Sequence, residues 1–400
     1  MQKKLVITCL INFFIAALMG LALRFSFINP IGINYRFLTH AHSHVAMLGW
    51  IYLMLYVCII HYFVPEKKSI YNRLFWLTEF SVIGMMISFP IQGYAVVSIS
   101  FSTLHILCSY YFVFLVWKHS KTNNLVTRYL LRSSLLFMLL STIGVWCLGP
   151  AVSMYGQASA FYQIAIQFFL HFQFNGWFLI AVIAVLFHIL NIEDSKQFKL
   201  FFKLLITSTV LTLALPIQWF APNKLLLWIN GFGVILQFFF LFIFIKIIKH
   251  KFQKTFKQHP KLLTNLFNFS VFCFIIKISV QLLSILPEFA QVVNEHRNFV
   301  IGFIHLLMLG VISGFLFLFI LKSNLVTYSR TLYLGILSFI LGFVLTETLL
   351  LIQGYKFYFT SGTLPNYYLL LFLFSILLPF GIFLILLNIM RYKTQKRHII

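Results

Sequence analysis

Charged residues are scarce in this sequence. Only 9% of its 400 residues are charged, and only seven of them are acidic. Soluble domains carry about 25% charged residues, whereas 61% of this chain is hydrophobic. A chain of this composition cannot cover its surface in water. The sequence therefore excludes a soluble fold and predicts that lipid is the solvent.

Cysteine is also rare, and its placement excludes several cofactor classes. The five cysteines stand singly in apolar stretches, without a CxxC pair. The sequence thus offers neither a redox dithiol nor a zinc ribbon, and without CxxCH it offers no covalent attachment for c-type haem. We expect free, buried thiols at Cys9, Cys58, Cys108, Cys147 and Cys273.

Long apolar stretches dominate what remains. A membrane-spanning helix needs roughly 20 mainly apolar residues, and twelve stretches qualify. No soluble domain, long linker or short-period repeat interrupts them. We therefore predict an all-α membrane protein in which residues 1–400 form one transmembrane domain of about twelve helices. These are Leu5–Phe25, Leu38–Val64, Leu74–Val97, Ile99–Trp117, Leu130–Leu148, Phe161–Leu190, Leu200–Phe220, Leu225–Ile245, Leu266–Leu286, Phe299–Leu321, Leu332–Ile352 and Tyr367–Met390.

The distribution of Lys and Arg predicts the orientation. The net charge of +23 comes mostly from the N-terminus, alternate loops and the C-terminus. The positive-inside rule places those parts in the cytoplasm, with both termini, in a bacterial inner membrane. The charge is thus a topology signal and an attraction to anionic lipid, and we expect no nucleic-acid partner. The other loops hold only Arg24, Arg36, Lys224, Arg297 and Lys356.

Histidines in the predicted inward-running helices carry the chemistry. At about 1.5 Å per residue, a group of four lies roughly 6–12 Å below the outer ends of their helices, and His171 lies deeper. The four are His42, His44, His105 and His305. Ionisable groups inside a membrane are costly and usually functional. Imidazole is a common axial ligand of haem iron and also suits copper or other iron sites. The sequence therefore predicts a layer of metal ligands on facing helices, chosen from His40, His42, His44, His105, His171 and His305.

Each of these histidines also has a structural interpretation. A helix places His40 and His44 on one face and His42 nearly opposite. In the structural interpretation, His40 caps its helix at the membrane interface, and His42 forms a hydrogen bond with a neighbouring helix. Arg36 and Arg297 lie on the same outer side, where arginine pairs well with haem propionates. The alternative role of both arginines is to anchor the helix ends at the membrane interface.

Three strings give the sequence a family resemblance. They are THAHSHVAMLGW at Thr39–Trp50, FLHFQFNGW at Phe169–Trp177 and FIHLLMLG at Phe303–Gly310. With twelve helices, they make the chain resemble subunit I of the haem-copper oxidase superfamily, which includes the nitric oxide reductases. The HAH and MLG patterns also resemble the NnrS family, twelve-helix haem- and copper-containing proteins tied to nitric oxide response.

The resemblance implies cofactors and roles. It implies a haem b held by His42 or His44 together with His305, and a copper or non-haem iron at His171. It further implies an oxidoreductase of the cytochrome oxidase or nitric oxide reductase kind, with a protein or quinol as electron donor. The chain departs from the family at the seventh predicted helix, which has no histidine. It departs again at the tenth, where only His305 is found, with Met308 as an alternative ligand or a packing residue.

Two other functions remain open at this stage. Lys277 and Gln281 share a face of the ninth predicted helix, and Glu79 and Glu347 lie within the third and eleventh. Such groups suit a secondary transporter with twelve helices, although a transporter does not need the histidine layer. The other alternative is an NnrS-like or catalytically silent relative that carries haem and copper.

Overall fold

The computed structural model describes residues 1–66, 68–122, 124–256 and 260–392. The regular structure of these residues is entirely helical, without a strand. Twelve helices of the described residues are long and apolar enough to cross a membrane, which confirms the predicted all-α class and number of spans. They are α1 Lys3–Phe25, α2 Tyr35–Phe63, α3 Ser69–Gln92, α4 Val96–His119, α5 Leu125–Tyr155, α6 Ala160–Ile189, α7 Lys196–Gln218, α8 Lys224–Phe256, α9 Lys261–Ile285, α10 Arg297–Lys322, α11 Arg330–Tyr358 and α12 Tyr367–Arg391.

Polar residues set several helix starts. The side chain of Asn34 accepts hydrogen bonds from the backbone N–H groups of Arg36 and Phe37, which caps α2. Asn124 caps α5 in the same manner, and Ser159 caps α6. These side chains satisfy N–H groups that have no partner within the helix.

The turn between α3 and α4 is very short. Gly93 has a φ of +62° and ends α3, a conformation that glycine adopts without steric cost. A β-carbon there would also collide with the ring of Phe37. Glycine is therefore required at this position, and it separates two apolar stretches that almost abut in the sequence.

Prolines explain two interruptions. The helix of α7 is broken at Thr212 and Leu213, and Pro216 has no N–H to bond the carbonyl of Thr212. In α12 the break at Ile376 lies just before Pro379 in the same way. Proline removes a hydrogen bond from a helix interior and clashes with the preceding turn.

Among the described residues, α2, α6 and α10 each change from an α-helix to a π-helix partway along. The π-helical segments are π1 Val45–Tyr52, π2 Phe172–Phe178 and π3 Leu306–Ser313. A π-helix contains one residue more per hydrogen-bonded turn and is rare, and it often marks a functional site.

The chain divides into two compact units. The first contains Met1–His119 and Leu316–Ile400, and the second contains Ser120–Phe315. In the first unit α1 packs against α2 and α12, and α11 packs along α12. The rings of Phe13 and Trp50 stack there at a centroid distance of 4.6 Å.

The second unit holds α5 to α9 and the first part of α10. Within it α5 packs on α6, α7 packs on α8, and α9 lies against π3. A β-carbon on Gly144 would collide with the backbone carbonyl of Ala165, so glycine allows α5 and α6 to approach closely. The segments π2 and π3 also contact each other in this unit.

Candidate functional site

A histidine stands directly before each π-helical segment. A glycine follows that histidine five residues later, inside the π-helix, in all three cases. The pairs are His44 and Gly49, His171 and Gly176, and His305 and Gly310. One local arrangement therefore occurs once in the first unit and twice in the second, and it includes three of the predicted ligands.

Burial changes sharply at these histidines. In Tyr35–His44 only Leu38 and Ala41 are buried, in Ala160–His171 only Ala165, and in Arg297–His305 no residue. The residues that follow are almost all buried. In an 18-residue apolar stretch of each helix, the buried share is 78% in α2, 89% in α6 and 78% in α10. Each histidine thus lies where a closely packed segment meets one with open surface.

His42 faces α1. Its Nδ1 lies 2.8 Å from the backbone oxygen of Ala16. Because a carbonyl can only accept, Nδ1 carries the proton and donates it, which leaves the lone pair of the neutral ring on Nε2. Gly20 makes room for the ring, since a β-carbon there would lie 2.9 Å from Cε1 of His42.

His44 lies on a different face from His42. Its Nδ1 donates to the backbone oxygen of His40 at 2.8 Å, so its lone pair is also on Nε2. That Nε2 is 3.4 Å from the hydroxyl of Tyr94. The ring of Phe89 packs against His44 at a centroid distance of 4.4 Å, and the ring of His40 meets Tyr94 at 4.6 Å.

His105 is buried in the same unit, with 3% of its surface exposed. Its ring meets the edge of Tyr52 at 4.6 Å, and it is close enough to His44 to interact electrostatically. Its Nε2 has no hydrogen-bond partner within the described part of the chain. The structure therefore brings together three of the predicted ligands, His40, His44 and His105, in the first unit.

His171 has the opposite tautomer. Its Nε2 lies 2.7 Å from the backbone oxygen of Thr209 in α7, so Nε2 carries the proton and the lone pair is on Nδ1. The seventh span, where the resemblance implies two further histidines, instead supplies a carbonyl that holds this ring. Only Nδ1 of neutral His171 can coordinate a metal.

His305 and the two arginines lie in the less buried segments. His305 is half-buried and ends the α-helical part of α10, which begins at Arg297. Arg36 is exposed in the first turn of α2. Met308 is buried within π3 and its carbonyl accepts from the hydroxyl of Ser313 at 2.8 Å.

Asn12 is a buried residue that supports π1, and sequence reasoning did not single it out. The amide of Asn12 donates to the carbonyl of Gly49 at 3.1 Å and to the carboxyl oxygen of Glu79 at 2.8 Å. Asn12 is 1% exposed and Glu79 is 4% exposed. The changed hydrogen bonding of a π-helix frees carbonyls, and Asn12 satisfies one of them.

The predicted ligands do not assemble into a larger metal site by themselves. Nowhere in residues 1–66, 68–122, 124–256 and 260–392 do three His, Cys, Asp or Glu side chains meet as a metal-binding group. The five cysteines are free, and Cys147 alone is half-buried rather than buried.

Comparison with known proteins returned no relative, since the chain matches no protein-family model and no curated protein.

Proposed function

We propose that the chain is a haem b-binding integral membrane protein resembling subunit I of the haem-copper oxidases. It would act in respiratory electron transfer or in nitric oxide or oxygen chemistry. The observation that carries this proposal is the hydrogen bonding of His42 and His44. Both rings donate Nδ1–H to a backbone carbonyl and keep the lone pair on Nε2.

That hydrogen bonding is what a metal-bound imidazole normally shows. The second ring nitrogen of a ligating histidine usually donates to a carbonyl or carboxylate, which sets the tautomer and the ring orientation. In this chain Ala16 and His40 provide those carbonyls. We propose that His42 or His44 is one axial ligand and His305 the other.

The change in burial at each histidine supports the proposal. The segments before His44, His171 and His305 have few or no buried side chains, whereas those after them are closely packed. A ligand of His44 would therefore lie against the closely packed π1, and Phe89 would hold the ring of His44.

Arginines at the starts of two spans complete the proposed site. Arg36 and Arg297 lie near the first residues of α2 and α10, and guanidinium groups form strong paired hydrogen bonds with carboxylates. They would hold the propionates, while haem supplies one-electron chemistry and a site for small gases. A protein or quinol donor would deliver the electrons.

A second metal fits less well. His171 offers only Nδ1, and α7 contributes the Thr209 carbonyl in place of histidines. We therefore retain copper or non-haem iron at His171 only as an addition to the haem, and the proposal does not include an oxygen-reducing pair of metals.

We also propose the cellular setting. The excess of Lys and Arg in alternate loops favours a bacterial inner membrane with both termini in the cytoplasm. In that orientation the less buried halves of α2, α6 and α10 lie in the outer leaflet, so the haem would be near the periplasmic side.

Haem content of purified variants tests the ligand assignment. His305→Ala and one of His42→Ala and His44→Ala are expected to lose most of the haem, measured per chain by absorbance. His188→Ala, at the other end of α6, should keep the haem content of the unchanged protein. Full haem in all three ligand variants would disprove the assignment.

A further inference from the structure

Lys277 is a basic side chain buried inside the second unit. It lies in α9 with 1% of its surface exposed. Its Nζ donates to Oε1 of Gln281, one turn further on, at 2.8 Å. It also lies 5.7 Å from the ring centroid of Phe303 in α10. Both neighbours are uncharged, so they solvate the ammonium without neutralising it.

No aspartate or glutamate side chain forms an ion pair with Lys277 within the part of the chain that the structure describes. All seven acidic residues of the sequence lie in that part. Burying an uncompensated charge costs several kcal/mol, and charges within a membrane normally pair with one another. The ion pairs seen in the described ranges are instead Lys68–Glu66, Lys199–Asp194 and Lys251–Glu193.

The donors left over at Lys277 match an anion. An ammonium has three N–H groups, and one of them bonds Gln281. Gln281 uses its oxygen in that bond, which leaves its NH2 group beside the ammonium. His171 lies near enough to Lys277 to interact with it electrostatically, and its Nε2–H is already bonded to Thr209. The cluster thus presents N–H donors from two side chains and one positive charge.

We propose that Lys277, in its ammonium form, and Gln281 bind a carboxylate group. Two carboxylate oxygens accept from two adjacent donors, and one negative charge balances one ammonium. The carboxylate belongs either to one propionate of the haem, with the arginines of the proposed site holding the other, or to a free monocarboxylate. The first source rests on the proposed function, whereas the second does not.

Thermal unfolding of the full chain in detergent, with sodium acetate as the probe, tests this site. Haem-free protein, made in haem-deficient cells, is expected to melt at higher temperature as acetate is added, with saturation. Sodium chloride at equal concentration should have no such effect. No response to acetate, or an equal response to chloride, would overturn the proposal.

Variants separate binding from a structural role. Lys277→Met should abolish the acetate response and, without acetate, melt no lower than the unchanged protein, because a costly lone charge is removed. Gln281→Leu should weaken acetate binding about tenfold, as expected for a lost hydrogen bond to a charged group. Lys224→Met, at an exposed position in α8, should respond normally. A normal acetate response in Lys277→Met would contradict the site. So would a Lys277→Met protein that melts at lower temperature than the unchanged protein, if the unchanged protein does not respond to acetate.

Haem-loaded protein identifies the source of the carboxylate. If a propionate occupies the site, acetate no longer stabilises the haem-loaded protein. In that case haem dimethyl ester, which lacks the carboxylates, binds the unchanged protein only as weakly as haem binds Lys277→Met. If the ligand is a free monocarboxylate, acetate stabilises loaded and haem-free protein equally. Absence of haem would refute the proposed function but leave the acetate experiment intact.

Discussion

At the scale of single residues, backbone carbonyls decide which ring nitrogen of each histidine can bind a metal. Ala16 and His40 each accept from an Nδ1, and Thr209 accepts from the Nε2 of His171. His42 and His44 therefore present Nε2, whereas His171 presents Nδ1. This difference is why the proposed haem is assigned to α2 and a second metal at His171 is retained only as an addition.

Gly20 tests the position of His42. In Gly20→Ala the new methyl group would lie 2.9 Å from Cε1 of His42, so the ring must leave the Ala16 carbonyl. If His42 is the ligand, haem content falls severalfold. If His44 is the ligand, haem content is kept.

Gly231→Ala, within α8, is the matched control, because a β-carbon there would meet only Cγ2 of Ile285, at an ordinary contact distance of 3.9 Å. This change should leave the haem unaltered and stabilise the helix by up to about 1 kcal/mol. Unchanged haem in Gly20→Ala together with a haem-deficient His42→Ala would contradict the role given to this glycine.

Asn12 tests the support of π1. Asn12→Leu removes the donor for Gly49 and for Glu79 and leaves two buried acceptors without it. We expect the free energy of unfolding, measured by denaturant titration in detergent, to fall by about 2–3 kcal/mol. Glu79→Gln keeps an acceptor for Asn12 and should lose less. Equal stability of Asn12→Leu and the unchanged protein would refute this support.

At the scale of helices, apolar length predicted the twelve spans and their order. About 20 apolar residues are enough to specify a spanning helix whatever its neighbours. The short gap between the third and fourth spans was predicted at residue 98, but the structure places it at residues 93–95, where Gly93 supplies the turn, because hydropathy does not distinguish apolar turn residues from apolar helix residues. Hydropathy could not predict the three π-helices, since they change hydrogen bonding rather than composition.

The recurrence of the His–π junction was readable but was missed. His44, His171 and His305 are each followed by glycine five residues later. A comparison of the two halves of the chain does not reveal this recurrence, because the arrangement occurs at intervals of four helices, in α2, α6 and α10. The contact between His171 and Thr209, by contrast, joins two helices and could not be read from either one.

Gly176 tests the packing of π2. A β-carbon there would lie 2.7 Å from Cβ of Phe137, and overpacking a close contact costs about 1–3 kcal/mol. We therefore expect Gly176→Ala to melt at lower temperature than the unchanged protein, whereas Gly231→Ala does not. A Gly176→Ala variant as stable as Gly231→Ala would show that this helix contact tolerates a methyl group.

At the scale of the whole molecule, the orientation in the membrane would determine on which side the proposed haem lies. Lys and Arg are concentrated in alternate loops, which predicts both termini in the cytoplasm. Alkaline phosphatase fused after Asn29 should be active, and the same enzyme fused after Lys121 should be inactive. The reverse pattern would place the histidine-bearing halves near the cytoplasm.

The most direct test of the haem proposal is pyridine haemochrome quantification of the purified protein. The full chain, made in haem-sufficient cells, is expected to show a Soret band, a b-type haemochrome and about one haem per chain. Protein that is folded and monodisperse but free of haem under these conditions would contradict the account.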